Sequence, residues 1–128
     1  MYICRKTFGY LLSSQSLAAG DLATFRTQAE AVLAREDPEG NAVLVREDGQ
    51  HVMNLAQPAD APLPIWSDPD NLRRVFATRQ PSVSDVFYGP VLKRSIIAID
   101  VPVKRADGNV SLVLAFVPSL SLFEEAIR

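Results

Sequence analysis

One cysteine and one histidine occur in 128 residues, and each scarcity excludes a class of chemistry. Cys4 alone forms no internal disulfide and no thiolate metal site. His51 has no second histidine beside it, so neither a metal centre nor a nucleophile–base pair can be assembled around it. A surplus of positive charge is missing too. The net charge of −2 argues against a nucleic-acid partner, because neutralising phosphates takes clustered Lys and Arg. No apolar run reaches the roughly 18 residues of a membrane span. Met1-Tyr2-Ile3-Cys4-Arg5-Lys6 lacks the apolar core and small-residue cleavage site of a signal peptide. An extracytoplasmic location would therefore put the targeting segment outside this chain. No phosphate-binding glycine loop or nucleophile elbow is found either. Enzymatic chemistry has no residues to stand on, and no cofactor is expected.

What the chain does hold is an ordinary globular balance, 48% apolar and 22% charged, in a length that suits one domain over 1–128. Its centre is Pro81 to Val117. A short strand-like run, Val83 to Tyr88, breaks at Gly89-Pro90, and a long Ile- and Val-rich run follows from Arg94 to Lys104. Ala106-Asp107-Gly108-Asn109 is a hairpin signal, since Gly and Asn tolerate the positive φ of a tight turn, and Val110 to Val117 returns as a nearly all-apolar strand. Ahead of this centre, residues 3–18 read as a helix with Phe8, Leu11 and Leu12 on one side and Ile3 a turn below. Asp21 is placed to cap a second helix running to about Arg35, with Leu22, Phe25, Ala29, Val32 and Leu33 at helical spacing. Strands follow at about 41–47 and 51–55 around the Asp48-Gly49 turn. A proline-rich loop leads to Trp66, and a helix opens with Asp68 as cap and Pro69 at its first position, with Leu72, Val75 and Phe76 as its buried stripe. Ser121 with Glu124 fits the capping box of a last helix. The expected fold is α+β and PAS-like. Long N-terminal helices precede one antiparallel sheet of five strands, at about 41–47, 51–55, 82–88, 94–104 and 110–117, and a C-terminal exit helix ends the chain.

Several stretches in this order resemble a PDC-type, or Cache, sensor domain. They are Ala19-Gly20-Asp21-Leu22, Asn41 to Asn54 around its Asp-Gly turn, Pro62-Leu63-Pro64, Pro81 to Phe87, and Ala98 to Val103. The likeness covers about residues 8 to 120. It implies the extracytoplasmic, periplasmic input module of an inner-membrane receptor, such as a histidine kinase or diguanylate cyclase. Such a module is not itself an enzyme; it passes a signal through flanking helices and meets the membrane only through segments outside this chain. A cytoplasmic location stays open. The chain has one PAS-like lobe where the amino-acid-binding members have two. Their aromatic and arginine ligand motif does not map cleanly onto Trp66 or Arg94, so ligand identity does not carry over.

The candidate ligand-binding residues are Asp85, Tyr88, Lys93, Arg94, Asp100 and Trp66. Asp100 interrupts an apolar central strand, where a carboxylate is costly unless paired or wet. It either lines a polar pocket or sits on a solvated face or beside an arginine such as Arg94. Asp85, Tyr88, Lys93 and Arg94 flank the Gly89-Pro90 turn. Tyr88 offers a ring and a hydroxyl, and Lys93 and Arg94 suit a carboxylate, unless both are simply a solvated loop. Trp66 reads as a pocket lid or as a pin holding its loop to the core. His51, at the start of a strand beside a turn, reads as a surface residue. Both signs of charge in the set favour a small carboxylate or zwitterion, bound between the sheet and the Trp66–Tyr88 segment. The apolar first helix points to a homodimer. The competing reading is a PAS-like interaction module whose sheet binds no small molecule.

Overall fold

The computed structural model describes residues 17, 19–66, 69–89, 91–105, 107–121 and 124. The expected helix over 3–18, apart from the helical and buried Leu17, lies outside the described residues, as do its dimer surface, Cys4, the Asp68 cap and most of the closing helix. The elements in chain order are α1 (Leu22–Glu36), β1 (Asn41–Arg46), β2 (His51–Asn54), α2 (Pro69–Thr78), β3 (Ser82–Val83), β4 (Phe87–Gly89), β5 (Arg94–Ile96), β6 (Ile99–Lys104) and β7 (Val110–Val117).

Helix α1 begins where Asp21 accepts the Thr24 amide at 3.2 Å, with the Thr24 hydroxyl donating to the same carboxylate at 2.7 Å. These bonds hold the exposed Asp21 carboxyl below its ordinary pKa. Phe25, Ala29, Val32 and Leu33 form its buried stripe. Full burial of a side chain such as Phe25 or Leu33 stabilises by about 1.5–3 kcal/mol.

Five strands form one antiparallel sheet in the order β2-β1-β7-β6-β3. Alternation along them fills two cores. Ala42, Leu44, Met53, Val101, Leu114 and Phe116 pack with the α1 stripe. On the other face, Val43, Val45, Val113, Ala115 and Val117 meet Leu72 and Val75 of α2 together with Trp66, Ile96 and Ala98.

The two expected strands at 82–88 and 94–104 each divide. Ser82–Val83 and Ile99–Lys104 stay in the sheet as β3 and β6, while Phe87–Gly89 and Arg94–Ile96 pair with each other as a separate hairpin. The division falls where the Ser84 hydroxyl accepts the Ala98 amide at 2.8 Å and the Ser84 amide donates to the Ala98 carbonyl at 2.9 Å. Beyond this crossing the chain turns back tightly. Lys93 adopts φ +57° and its amide donates to the Gly89 carbonyl at 2.8 Å, so β4 and β5 pair locally instead of extending the sheet. The β4–β5 hairpin packs on the α2 face of the sheet through Phe87 and Ile96.

Candidate functional site

A bulge near the start of β2 builds a buried polar feature. Leu44 pairs with Met53 and Val45 with His51, so Val52 is passed over. A bulge of this kind re-aims the residues that follow it. Val52 and Met53 both lie against the α1 core, while His51 joins Asn54 on the opposite face. The chain from Leu63 to Trp66 then runs alongside. The His51 amide donates to the Pro64 carbonyl at 3.3 Å, the Trp66 amide to the Gly49 carbonyl at 2.6 Å, and the Gln50 side-chain amide to the Leu63 carbonyl at 3.2 Å. Gly49 suits this turn through its φ of +89°, and a Cβ there would also stand 3.2 Å from Ile65 Cγ2, a tight approach. These bonds lay the Trp66 ring on His51, centroids 5.4 Å apart, with Phe87 of the hairpin edge-on to the indole at 5.5 Å.

Under the hairpin lies an inner chamber of about 20 Å³, lined by Asn41, Val43, His51, Asn54, Trp66, Gly89, Leu92, Ile96 and Val117 among others. His51 is not the surface residue its sequence position suggests: only 4% of it is exposed. Burial disfavours its imidazolium and lowers its pKa to about 4. The Asn41 amide donates to Asn54 Oδ1 at 3.0 Å, the Ala56 amide donates to the same oxygen at 3.0 Å, and Asn54 Nδ2 stands 3.5 Å from His51 Nδ1. His51 Nε2 and Trp66 Nε1 are buried with no partner among the described residues.

Ile96 also lines a second, outer cavity of about 200 Å³, together with Val86, Arg94, Ser95, Ile97, Pro118 and Leu120. Arg94 is half-buried there; its Nη1 donates to the Ser95 carbonyl at 3.3 Å, and it has no acidic partner among the described residues. Pro118 and Leu120 belong to the segment that leaves the sheet after β7. Between them, the Ser119 amide donates to Asp37 Oδ2 at 2.8 Å.

The six sequence-predicted residues therefore separate. Trp66 lines the inner chamber and Arg94 the outer cavity. Asp85 and Lys93 are exposed, and Tyr88 is 61% exposed on the outer side of the hairpin. Asp100 is wholly buried on the α2 face, with its Oδ2 accepting the Asn71 amide at 2.7 Å. Asn71 Oδ1 in turn accepts the Ser82 hydroxyl at 2.7 Å. Asp100 is thus on no solvated face, and the partner it finds is an amide of α2. One cross-strand row runs Asn54, Val43, Ala115, Asp100, Ser82. This sets Asp100 three strands from Asn54, roughly 14 Å at about 4.8 Å per strand. His51, Asn41, Asn54 and Asn71 escaped sequence reasoning. Asn41 and Asn54 carry the signal that singled out Asp100, a polar side chain in an apolar strand. His51 carries none, because its face depends on the bulge. Among the described residues no cluster of His, Cys, Asp or Glu suits a metal ion, and no helix is long and apolar enough to cross a membrane.

A helix-backed five-stranded antiparallel sheet with cavities under the segment that crosses its other face is a PDC/Cache-like fold, that of chemoreceptor ligand-binding domains. The chain is similar to the ligand-binding domain of the Campylobacter jejuni chemoreceptor Tlp3 in complex with 4-methylisoleucine, with a TM-score of 0.58 and 14% identity over 91% of this chain and 45% of that one. It is also similar to an extracellular ligand-binding receptor from Desulfohalobium retbaense, with a TM-score of 0.60 and 21% identity over 92% of this chain and 26% of that one. The ligand-binding domain of Mlp24 with asparagine matches at a TM-score of 0.53 and 18% identity, over 95% of this chain and 49% of that one. The chain thus spans half or less of the length of these structures. No family model matches the sequence, and no curated protein does.

Proposed function

We propose that this chain, as one domain over 1–128, is the ligand-sensing input lobe of a membrane receptor. It lies outside the cytoplasm and binds a small polar metabolite without catalysing a reaction. The observation that carries the reading is the pair of buried ring nitrogens, His51 Nε2 and Trp66 Nε1, beside a chamber roofed by a separate hairpin. Buried polar groups are ordinarily paired, and two left over at one cavity mark a place prepared for a partner. The outer cavity adds a half-buried guanidinium suited to a carboxylate. The similar domains are recorded with 4-methylisoleucine and asparagine, which supports a small carboxylate or zwitterion as the ligand class. Trp66 and Arg94 are the contacts in this reading; Asp85, Tyr88 and Lys93 ring the approach to the hairpin, and Asp100 fixes α2 to the sheet behind it. The ligand state is read by a histidine kinase or diguanylate cyclase output, through flanking helices that pair in a homodimer.

Thermal unfolding measured against a panel of amino acids and small carboxylates tests this. A ligand present at about 100 times its Kd stabilises by about 2.7 kcal/mol, a shift of several degrees for a domain of this size. Arg94→Gln should lose most of that shift while unfolding at the wild-type temperature without ligand. A panel that leaves the melting temperature unmoved throughout would favour the interaction-module reading instead.

A further inference from the structure

The hydrogen bonds around Asn54 fix the tautomer of His51. Asn54 Oδ1 accepts from both the Asn41 side chain and the Ala56 backbone, so the amide cannot be turned over, and Nδ2 is the atom facing His51 Nδ1 at 3.5 Å. An amide nitrogen only donates, so Nδ1 accepts and the ring proton resides on Nε2. Asn41 is held in its turn, its own Oδ1 accepting the Ala42 amide at 2.9 Å. Two donors therefore lie buried in residues that wall the chamber, His51 Nε2–H and Trp66 Nε1–H, neither with an acceptor among the described residues. No charged side chain lines it. A carboxylate placed there would be stripped of water among neutral groups, a far larger cost than burying a hydrogen-bonded neutral oxygen. About 20 Å³ is room for one oxygen-sized group and little else.

We propose that the inner chamber receives one uncharged oxygen of the sensed molecule, a hydroxyl or a carbonyl accepting from His51 Nε2–H and Trp66 Nε1–H, while the molecule's carboxylate stays outside the chamber. This rests on the sensor reading above and narrows it. The ligand is a small carboxylate or amino acid that carries a second, uncharged oxygen: a hydroxy, oxo or amide acid and not a plain alkyl one.

With a single histidine and a single tryptophan in the chain, nitrogen NMR reads both donors without ambiguity. Long-range imidazole correlations of the unliganded protein at pH 7 should show the Nε2–H form, and an Nδ1–H ring overturns the inference with no ligand needed. L-threonine against its isostere L-valine, and L-asparagine against L-leucine, then test the chamber. The oxygen-bearing member of each pair should bind roughly tenfold or more tightly and move the indole N–H resonance. Trp66→Phe should bring the members of each pair level. Equal binding within the pairs, with the indole resonance unmoved, would mean a chamber that holds water only; the inference then falls and the sensor reading stands. If no amino acid or carboxylate binds, the sensor reading fails and takes the inference with it.

Discussion

His51 has 4% of its surface exposed, between Trp66 and Asn54, where burial disfavours an imidazolium. Its pKa is about 4 in the folded chain, against an ordinary 6.5 in the unfolded one. Between those values the unfolded state takes up a proton that the folded state refuses. The contribution of His51 is therefore fully present above about pH 6.5 and drains away as the pH falls towards about 4. Denaturant melts at pH 7 and pH 5 should show wild type losing more stability than His51→Gln, whose side chain does not titrate over that interval. Equal losses would show that the imidazole is solvated. Asp100 follows a different logic at the same scale. It too is wholly buried, yet the Asn71 amide meets it at 2.7 Å. A polar side chain in this core is tolerated where a second element supplies a partner.

Among the elements, the β4–β5 hairpin stands apart from the main sheet. Its three-residue strands pair with each other and belong to no other sheet. A two-stranded ribbon is marginal by itself and depends on packing. That packing comes from Phe87, Leu92 and Ile96, of which Leu92 and Ile96 line the chamber. Gly89 makes the arrangement possible, since a Cβ there would lie 2.7 Å from Ile96 Cδ1. The obstructing atom is the tip of a flexible side chain, so Gly89→Ala should cost less than about 1 kcal/mol in stability. It should nonetheless push Ile96 out of its position between the two cavities. The expected outcome is a near-wild-type melting temperature with a strongly reduced response to L-threonine. A full response in a thermal-shift titration would show that the Ile96 partition plays no part in binding.

On the scale of the molecule, the outer cavity and the path out of the sheet share a wall. Pro118 and Leu120 line the cavity, and the Ser119 amide between them is held by Asp37, 82 residues earlier at the end of α1. Both partners are buried. A molecule settling beside Arg94 thus bears on the segment that continues towards the C-terminus, at the point where α1 fastens it. Asp37→Ala leaves a buried amide without its acceptor, which costs about 1–3 kcal/mol. Hydrogen exchange should show the Ser119 amide exchanging at least about tenfold faster, with amides in the middle of β7 accelerated far less. Unchanged protection at Ser119 would mean that the contact holds nothing in place.

Much of the fold was legible because its signals are local. The Asp21 cap, the α1 stripe of Phe25, Ala29, Val32 and Leu33, and the turns at Asp48-Gly49 and Asp107-Gly108 each involve residues only a few positions apart. Physical chemistry acting over that span does not depend on the rest of the chain. The sequence also singled out Trp66 and Asp100, which the structure buries, and Arg94, which lies half-buried at the outer cavity. Only the tertiary structure decided where the 82–88 and 94–104 runs part, because each stretch pairs with whichever strand the fold brings alongside. It alone decided the face of His51: strict alternation would put the imidazole beside Met53, and one passed-over residue at Val52 moves it to Asn54. A shift of one residue exchanges the two faces of a strand, and which register wins is settled by the neighbours a strand meets across the sheet.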